Sequence, residues 1–516
     1  MSTTTVLFIG DLHIQISNIQ EVDMFIKRIT VLVEEKRPDI VLIAGDLLHT
    51  HERLHTTALN KAYEFVEKMR MIAKTYVIVG NHDMCLGKNT PVLLWNGDTK
   101  MSQNIQQGDI LIGDDGYKRT VLQTVSGKRN MYMVHQTKGE NYNVTEEHIL
   151  SLKCGFRKSL FYNKTKNCWT VNWFDRTTMK LKSKFFNAIC KDSKQKSIDF
   201  FKIIEDIDIL DISVKEYLEL PKNIRDRLYG FRSDGVYWEK QEVLLEPYIM
   251  GLWLGNGNKD GSGFKSSDLK IVNEWCEWAN KNDTEVIHTG QYNYSIYRQG
   301  YENNSSSESS TLEACIPDKK EIIDYLRQGA SNEQLDTLSS IETTNPLVDI
   351  IKHYQIYENK HIPKEYIIND YDTRLELLAG FIDTYGSNIN EGGGFTISHA
   401  CSSNIYLIDE LEYLAKSLGF DVRKTKELHA GSFINKTIHI SGNTEIIPTR
   451  LVRKQCRKYS DKLLSKISLS YIGVSEYYGF SVDNNNRFLL GDFTVTHNCH
   501  NQNFLDTNHW MNGMKE

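Results

Sequence analysis

Apolar runs and helical periods alternate over the first eighty residues. Residues 4–9 read as a buried strand, a helical stretch follows over about 22–36, and residues 40–44 form a second apolar run. A further helix is expected over about 57–73 and a third strand over 76–79. Each run ends in polar residues: Gly10-Asp11-Leu12-His13, then Gly45-Asp46-Leu47-Leu48-His49, then Gly80-Asn81-His82-Asp83. This rhythm predicts the start of an α/β layered sheet. At Cys85 the pattern changes to short alternating runs broken by turns at Asn96-Gly97-Asp98, Gly113-Asp114-Asp115-Gly116 and Ser126-Gly127, which is all-β patterning. From about Leu244 helical and strand patterns mix, and the Asn/Ser-rich residues 303–310 predict an exposed loop. Short-strand patterning returns at Tyr471 and runs to Asn498, and the residues from Cys499 read as the opening of another helix.

Length and composition narrow the picture. A chain of 516 residues is too long for one core and predicts about three domains. No apolar run approaches the ~18 residues of a membrane span, and the start lacks a basic leader with a cleavage site. The nine cysteines are scattered without a CxxC pair, which predicts an intracellular, soluble protein with reduced thiols. The net charge of -6 gives the whole chain no field that favours nucleic acid. The charge is uneven, however. Between Lys153 and Lys196 twelve Lys/Arg face two acids, with Phe156, Phe161, Tyr162, Trp169, Trp173, Phe174, Phe185 and Phe186 threaded among them. Cations for phosphates and rings for stacking suit a nucleic-acid surface; a two-sided sheet with a solvated lysine face accounts for the composition equally well.

Two distant junctions carry complementary chemistry. Cys85 follows GNHDM abruptly, and Val495-Thr496-His497-Asn498-Cys499 stands near the other end. The Cys85 thiol can attack the Met84 carbonyl and convert that amide to a thioester. An amide resists this, so the site must stabilise the oxyanion and protonate the departing nitrogen. Thr145 and His148, in YNVTEEHILSL, have the right side chains for it. Cys499 can take the acyl group by thioester exchange. Asn498 can attack its own carbonyl through its side-chain nitrogen and release the segment as a succinimide, with His497 polarising that carbonyl or moving the proton. An S-to-N shift then leaves a Met84–Cys499 peptide bond.

The segment from Cys85 to Asn498 resembles an intein with the self-splicing Hint fold, through CLGKNTPVLLWNG, Thr145-x-x-His148 and YYGFSVDNNNRFLLGDFTVTHN before Cys499. Many relatives carry a histidine shortly before the FLL of the last motif; here the residues are Asn484-Asn485-Asn486-Arg487. The resemblance implies splicing without a cofactor.

Inside this segment, Ile249–Gly257 and Leu378–Gly386 read as a repeated helix with small residues spaced for close approach. With Lys360–Tyr366 and Leu418-Gly419-Phe420 they resemble the LAGLIDADG (DOD-type) homing endonuclease domain. That resemblance implies double-stranded DNA as a partner and Mg2+ as the cofactor of cutting. The catalytic acids of the family fall at Asn256 and Tyr385, so both carboxylates are replaced, and metal-assisted cleavage is expected to be lost or crippled. Asp383 lies two positions before Tyr385 and is expected to face a different side of the helix end. DNA binding could survive through residues 153–196 and 450–466.

The interrupted N-terminal part offers Asp11, His13, Asp46 and Asn81 as metal ligands, with His82, oriented by Asp83, as a proton donor. Oxygen and imidazole ligands at three strand ends suit a binuclear Mn, Fe or Zn site. The three motifs resemble the calcineurin-like metallophosphoesterases, which implies a phosphoester substrate for a complete host. A later His and a GHxH pair needed by that family do not follow Cys499, so this part is expected to be an incomplete phosphoesterase. The expected layout is 1–84 host, 85–243 first part of the Hint domain with a DNA-recognition insert, 244–466 endonuclease domain, 467–498 second part of the Hint domain, and 499–516 host again. The chain is expected to be a monomer without membrane contact. Two other readings compete: an active site-specific endonuclease, against which Asn256 and Tyr385 speak, and a phosphoesterase with a non-splicing insertion.

Overall fold

The computed structural model describes residues 4–10, 12, 14, 18–43, 47, 56–77, 85–258, 261–298, 345–357, 359–389, 393–401, 406–425, 428–430, 433–457 and 463–497. The expected host residues Asp11, His13, Asp46, Asn81, His82 and Asp83 lie outside these, as does the Asn/Ser-rich stretch 303–310.

The N-terminal part holds three parallel strands in sequential order, Val6–Ile9, Ile40–Ile43 and Lys74–Val77. Helices Ile19–Lys36 and Thr56–Ile72 connect them. The first helix buries Val22, Ile26 and Val33, a one-sided spacing that seats it against the core of Val41, Ile43, Phe65, Val66 and Met69. It ends at Arg37, whose left-handed backbone turns its N–H back to the Val33 carbonyl. The third strand begins at Lys74, two residues before the apolar run that marks it in the sequence.

Residues 85–243 and 463–497 form a largely β domain. Its frame is one pair of 19-residue strands, Lys118–Gln136 and Leu464–Val482, antiparallel along almost their whole length. A register shift between Tyr471 and Gly473, with Gly473 at a φ of +95°, bends the second strand. The second strand starts at Leu464, inside the range assigned to the central domain by sequence, because Ser465 and Lys466 already pair with Gly230 and Tyr229. The core gathers Val92, Leu111, Val121, Val134, Val144, Leu150, Phe480 and Phe488. A separate sheet, Ser159–Asn163, Cys168–Asp175 and Lys180–Asn187, carries the basic and aromatic stretch, with helix Ser193–Ile203 packed on it.

The central domain is α+β and repeats one plan. Helix Pro247–Asn256 is followed by a sheet of Gly263–Lys265, Thr284–Gly290 and Asn293–Arg298 with helix Leu269–Lys281. Helix Tyr371–Tyr385 is followed by strands Gly386–Asn388, Phe395–Cys401, Asp421–Lys424 and Phe433–Ser441 with helix Leu407–Ser417. The two leading helices pack with almost no side-chain spacer. A Cβ on Gly251 would run into the Leu377 carbonyl oxygen, and one on Gly380 into that of Tyr248.

The domains are joined by polar contacts taken out of water. Arg232 pairs with Asp421, which Lys138 also reaches at 3.0 Å. The fully buried Arg374 donates to Val236, and to Ser417 O and Oγ at 2.8 and 2.7 Å, while its guanidinium lies 4.7 Å from the Trp238 ring centre. Burial opposes the Asp421 carboxylate, but Arg232 and Lys138 outweigh it and hold it at about 2. Among the described residues no helix is long and apolar enough to cross a membrane.

The helix pairing generates one prediction. Gly380→Val should lower the stability of the central domain by about 1–3 kcal/mol or more, because the added atoms meet backbone rather than a movable side chain. Urea unfolding followed by tryptophan fluorescence reads it, since Trp253, Trp275 and Trp278 lie in that core. An unchanged midpoint would mean that the helices separate at no cost.

Candidate functional site

The short strand Leu86–Gly87 is inserted between two larger elements. Leu86 pairs with Val144 on one side and Tyr478 on the other. This fixes Cys85, 1% exposed and packed against Met131 and Tyr477. The backbone of Cys85 is held twice by Thr145: its N–H donates to Thr145 Oγ1 at 3.2 Å, and its carbonyl accepts from the Thr145 N–H at 3.0 Å. Thr145 therefore grips the peptide on the C-terminal side of the Met84–Cys85 bond.

A tight turn returns from Thr145 to His148, whose N–H donates to the Thr145 carbonyl at 3.2 Å. His148 is buried, and its Nε2 is hydrogen-bonded to Thr496 Oγ1 at 2.9 Å. Nδ1 is buried with no hydrogen-bond partner among the described residues. Burial, and then the neighbouring His497, push His148 down to about 3, so the imidazole is neutral at ordinary pH. Burial raises the phenol of Tyr142, which lies beside Thr496.

Thr496 and His497 lie on the strand Val495–His497, which pairs with Arg487–Leu489 in a two-stranded ribbon. His497 is 7% exposed. The structure thus brings Cys85, Thr145, His148 and His497 into one buried neighbourhood. Asn498, Cys499 and Met84 lie outside the described residues. Sequence reasoning alone does not single out Thr496 and Tyr142. The signal of Thr496 is faint: a polar residue in a strand whose every residue is buried.

Opposite His497 on the paired strand, Arg487 donates to Asp211 Oδ2 at 2.6 Å and to Ser151 Oγ at 3.2 Å. Burial works to raise Asp211, but Arg487 and Ser151, with a contribution from His497, leave it below its ordinary value.

At the ends of the paired central helices the described residues do not form a divalent-cation site. Asn256 ends one helix and Tyr385 the other, both half-buried. Asp383 is turned into the protein, accepting from Tyr248 Oη at 2.7 Å and from the Arg450 N–H at 2.6 Å. Two ammonium groups sit on the terminal carbonyls instead. Lys360 donates to Trp253 O at 2.9 Å and Gly257 O at 2.8 Å; Lys454 donates to Ile382 O at 2.7 Å and Asp383 O at 2.6 Å. Burial lowers them to about 7 and about 8.

In the basic sheet the lysines lie over rings: Lys166 over Phe185, Lys184 over Phe200 and Lys194 over Trp169, at 4.9, 4.0 and 5.5 Å. Phe161, Tyr162 and Phe185 remain exposed. In the second basic stretch, Arg450 pairs with Glu274 and Arg453 with Asp268.

The family model described as Hom_end-associated Hint matches residues 85–497. A phosphoesterase-named protein of Invertebrate iridescent virus 6, 244L, is 51% identical over 83 residues, 16% of this chain and 29% of that protein. A second, 078R of Invertebrate iridescent virus 3, is 40% identical over 79 residues, 15% and 23% of the two. A catalytic subunit of the V-type proton ATPase of Candida tropicalis is 22% identical over 481 residues, 80% of this chain and 43% of that one. The chain thus spans less than half the length of each of these relatives. The crystal structure of the gp41-1 intein is similar at 20% identity, covering 25% of this chain and 83% of that one with a TM-score of 0.12.

The buried imidazole generates a prediction about pH. Above the ordinary histidine value of 6.5 it is neutral in folded and unfolded chain alike and contributes nothing. As pH falls from 6.5 towards about 3, the unfolded chain takes up a proton that the folded one does not. Stability therefore falls, by at most ~1.4 kcal/mol per pH unit. Urea unfolding between pH 7.5 and 4.5, with Cys85→Ala and Asn498→Ala keeping the chain whole, should show a shallower loss once His148→Gln is added. Parallel curves for the two proteins would contradict the assignment.

Proposed function

Since the chain belongs to the Hom_end-associated Hint family, we propose that residues 85–498 excise themselves and join Met84 to Cys499. The observation that carries this reading is the double hydrogen bond of Thr145 to Cys85, continued through His148 and Thr496 to His497. It links the backbone of Cys85 to the histidine that precedes Asn498.

The chemistry follows from those groups. The Cys85 Sγ attacks the Met84 carbonyl carbon; the C–N bond breaks, the Cys85 nitrogen takes a proton, and a thioester forms. Thr145 holds that nitrogen's hydrogen in a defined direction. His148, neutral and with Nδ1 unpartnered among the described residues, is suited to passing the proton. Burial of the thiol keeps water from the thioester. The Cys499 thiol displaces the Cys85 thiol. The Asn498 side-chain nitrogen then attacks its own carbonyl, expelling the Cys499 amine as the succinimide closes, and His497 supplies the proton. The free amine recaptures the acyl group from sulfur.

For the central domain we propose a LAGLIDADG-type fold that retains affinity for double-stranded DNA and has lost cutting. The sheet Ser159–Asn187 offers lysines and exposed rings, whereas Arg450 and Arg453 are already matched by acids. With Asn256 and Tyr385 at the acid positions and Asp383 turned inward, the described residues at the helix ends offer Mg2+ no free carboxylate, and two lysine amines cap the carbonyls there. For the interrupted N-terminal part we propose a metal-dependent phosphoesterase, supported by the two viral relatives that carry that name.

Two measurements test these readings. Intact mass of the expressed 59.6 kDa chain should show a large released fragment and a small ligated product. Cys85→Ala should abolish the ligated product, and a wild-type chain that stays whole refutes splicing. Incubation of supercoiled plasmid carrying the uninterrupted host gene with Mg2+ should give binding in a gel shift without linear DNA. Efficient double-strand cleavage would overturn the loss of cutting.

A further inference from the structure

Arg487 stands directly opposite His497 in the ribbon. Opposed residues of an antiparallel pair share one face, with Cβ atoms about 4.5–5.5 Å apart. The guanidinium is fixed from three directions. Asp211 Oδ2 accepts from it at 2.6 Å, Ser151 Oγ at 3.2 Å, and Asp114 Oδ2 lies at 3.5 Å. Ser151 closes the cluster by donating to Asp211 Oδ1 at 2.6 Å. Ser151 and Asp211 are themselves opposed on the paired strands Ile149–Cys154 and Ile209–Ser213. The Arg487 side chain is 16% exposed, so the cluster is largely shielded from solvent.

We propose that Arg487, locked by Asp211 and Ser151, is a positioning residue for His497 in breaking the bond after Asn498. This rests on the splicing reading above. The proton that His497 delivers must reach one departing amine, so the ring needs one orientation. A side chain clamped opposite it removes alternatives. The clamp does not compete for the proton: guanidinium does not deprotonate, and both Asp211 oxygens already accept hydrogen bonds.

The test separates the two half-reactions in the full chain. With Cys85→Ala, release of the C-terminal peptide after Asn498 reports the C-terminal step. With Asn498→Ala, thiol-induced release of the N-terminal fragment reports the Cys85 thioester. R487M, which keeps the apolar stem, should slow the C-terminal step at least tenfold and leave the N-terminal step within twofold. R487K, which restores a cation, should recover at least a third of the lost rate, and D211N should slow the same step alone. A wild-type rate for R487M overturns the proposal. Equal loss of both steps also overturns it, since that marks a merely structural role. If neither step occurs in the unsubstituted backgrounds, the splicing reading falls first and this inference with it.

Discussion

The two ends of the inserted segment meet because a single strand, Leu464–Val482, serves several partners along its length. It pairs with the strand carrying Tyr229 and Gly230, then with Lys118–Gln136, and near its end with Leu86–Gly87. At about 3.4 Å per residue, 19 residues reach ~60 Å. Residues separated by nearly four hundred positions, such as Lys88 and Glu476, become neighbours at 2.8 Å. The loop closed in this way is long, and its entropic cost rises only slowly with length. A whole domain can therefore be carried between the two halves at little expense to their pairing.

That geometry sets the electrostatics of the site. Thr145, His148, Thr496 and His497 are all buried, so a charge on either imidazole is unwelcome. His497 adds to burial in pressing His148 towards neutrality. Arg487 and Asp211, the fixed charges beside His497, are bound to each other.

Much of this was legible in the sequence. Period-two apolar patterning marks the strands of the β domain. The small-residue spacing of the two repeated helices corresponds to true backbone contact at Gly251 and Gly380. Cys85, Thr145, His148 and His497 lie together, as side-chain chemistry alone suggested. Less visible were residues whose role depends on a partner far along the chain. Asp211 looks like any strand acid until Arg487 is placed beside it, and Thr496 like any β-former until His148 is. The basic stretch misleads in a similar way, because Lys153 and Arg157 are neutralised by Asp208, which lies beyond its end.

The salt link from Arg232 and Lys138 to Asp421 has a consequence for the evolution of the chain. Both cations belong to the β domain and their shared anion to the central one. Lys138 lies in the turn where Glu140 donates its backbone N–H to Asp492, only a few residues before His497. A lineage that discarded the central domain would strand two positive side chains beside that turn. Shortened descendants should therefore carry neutral or acidic replacements at both positions, and a descendant that kept both would need a new anion to meet them.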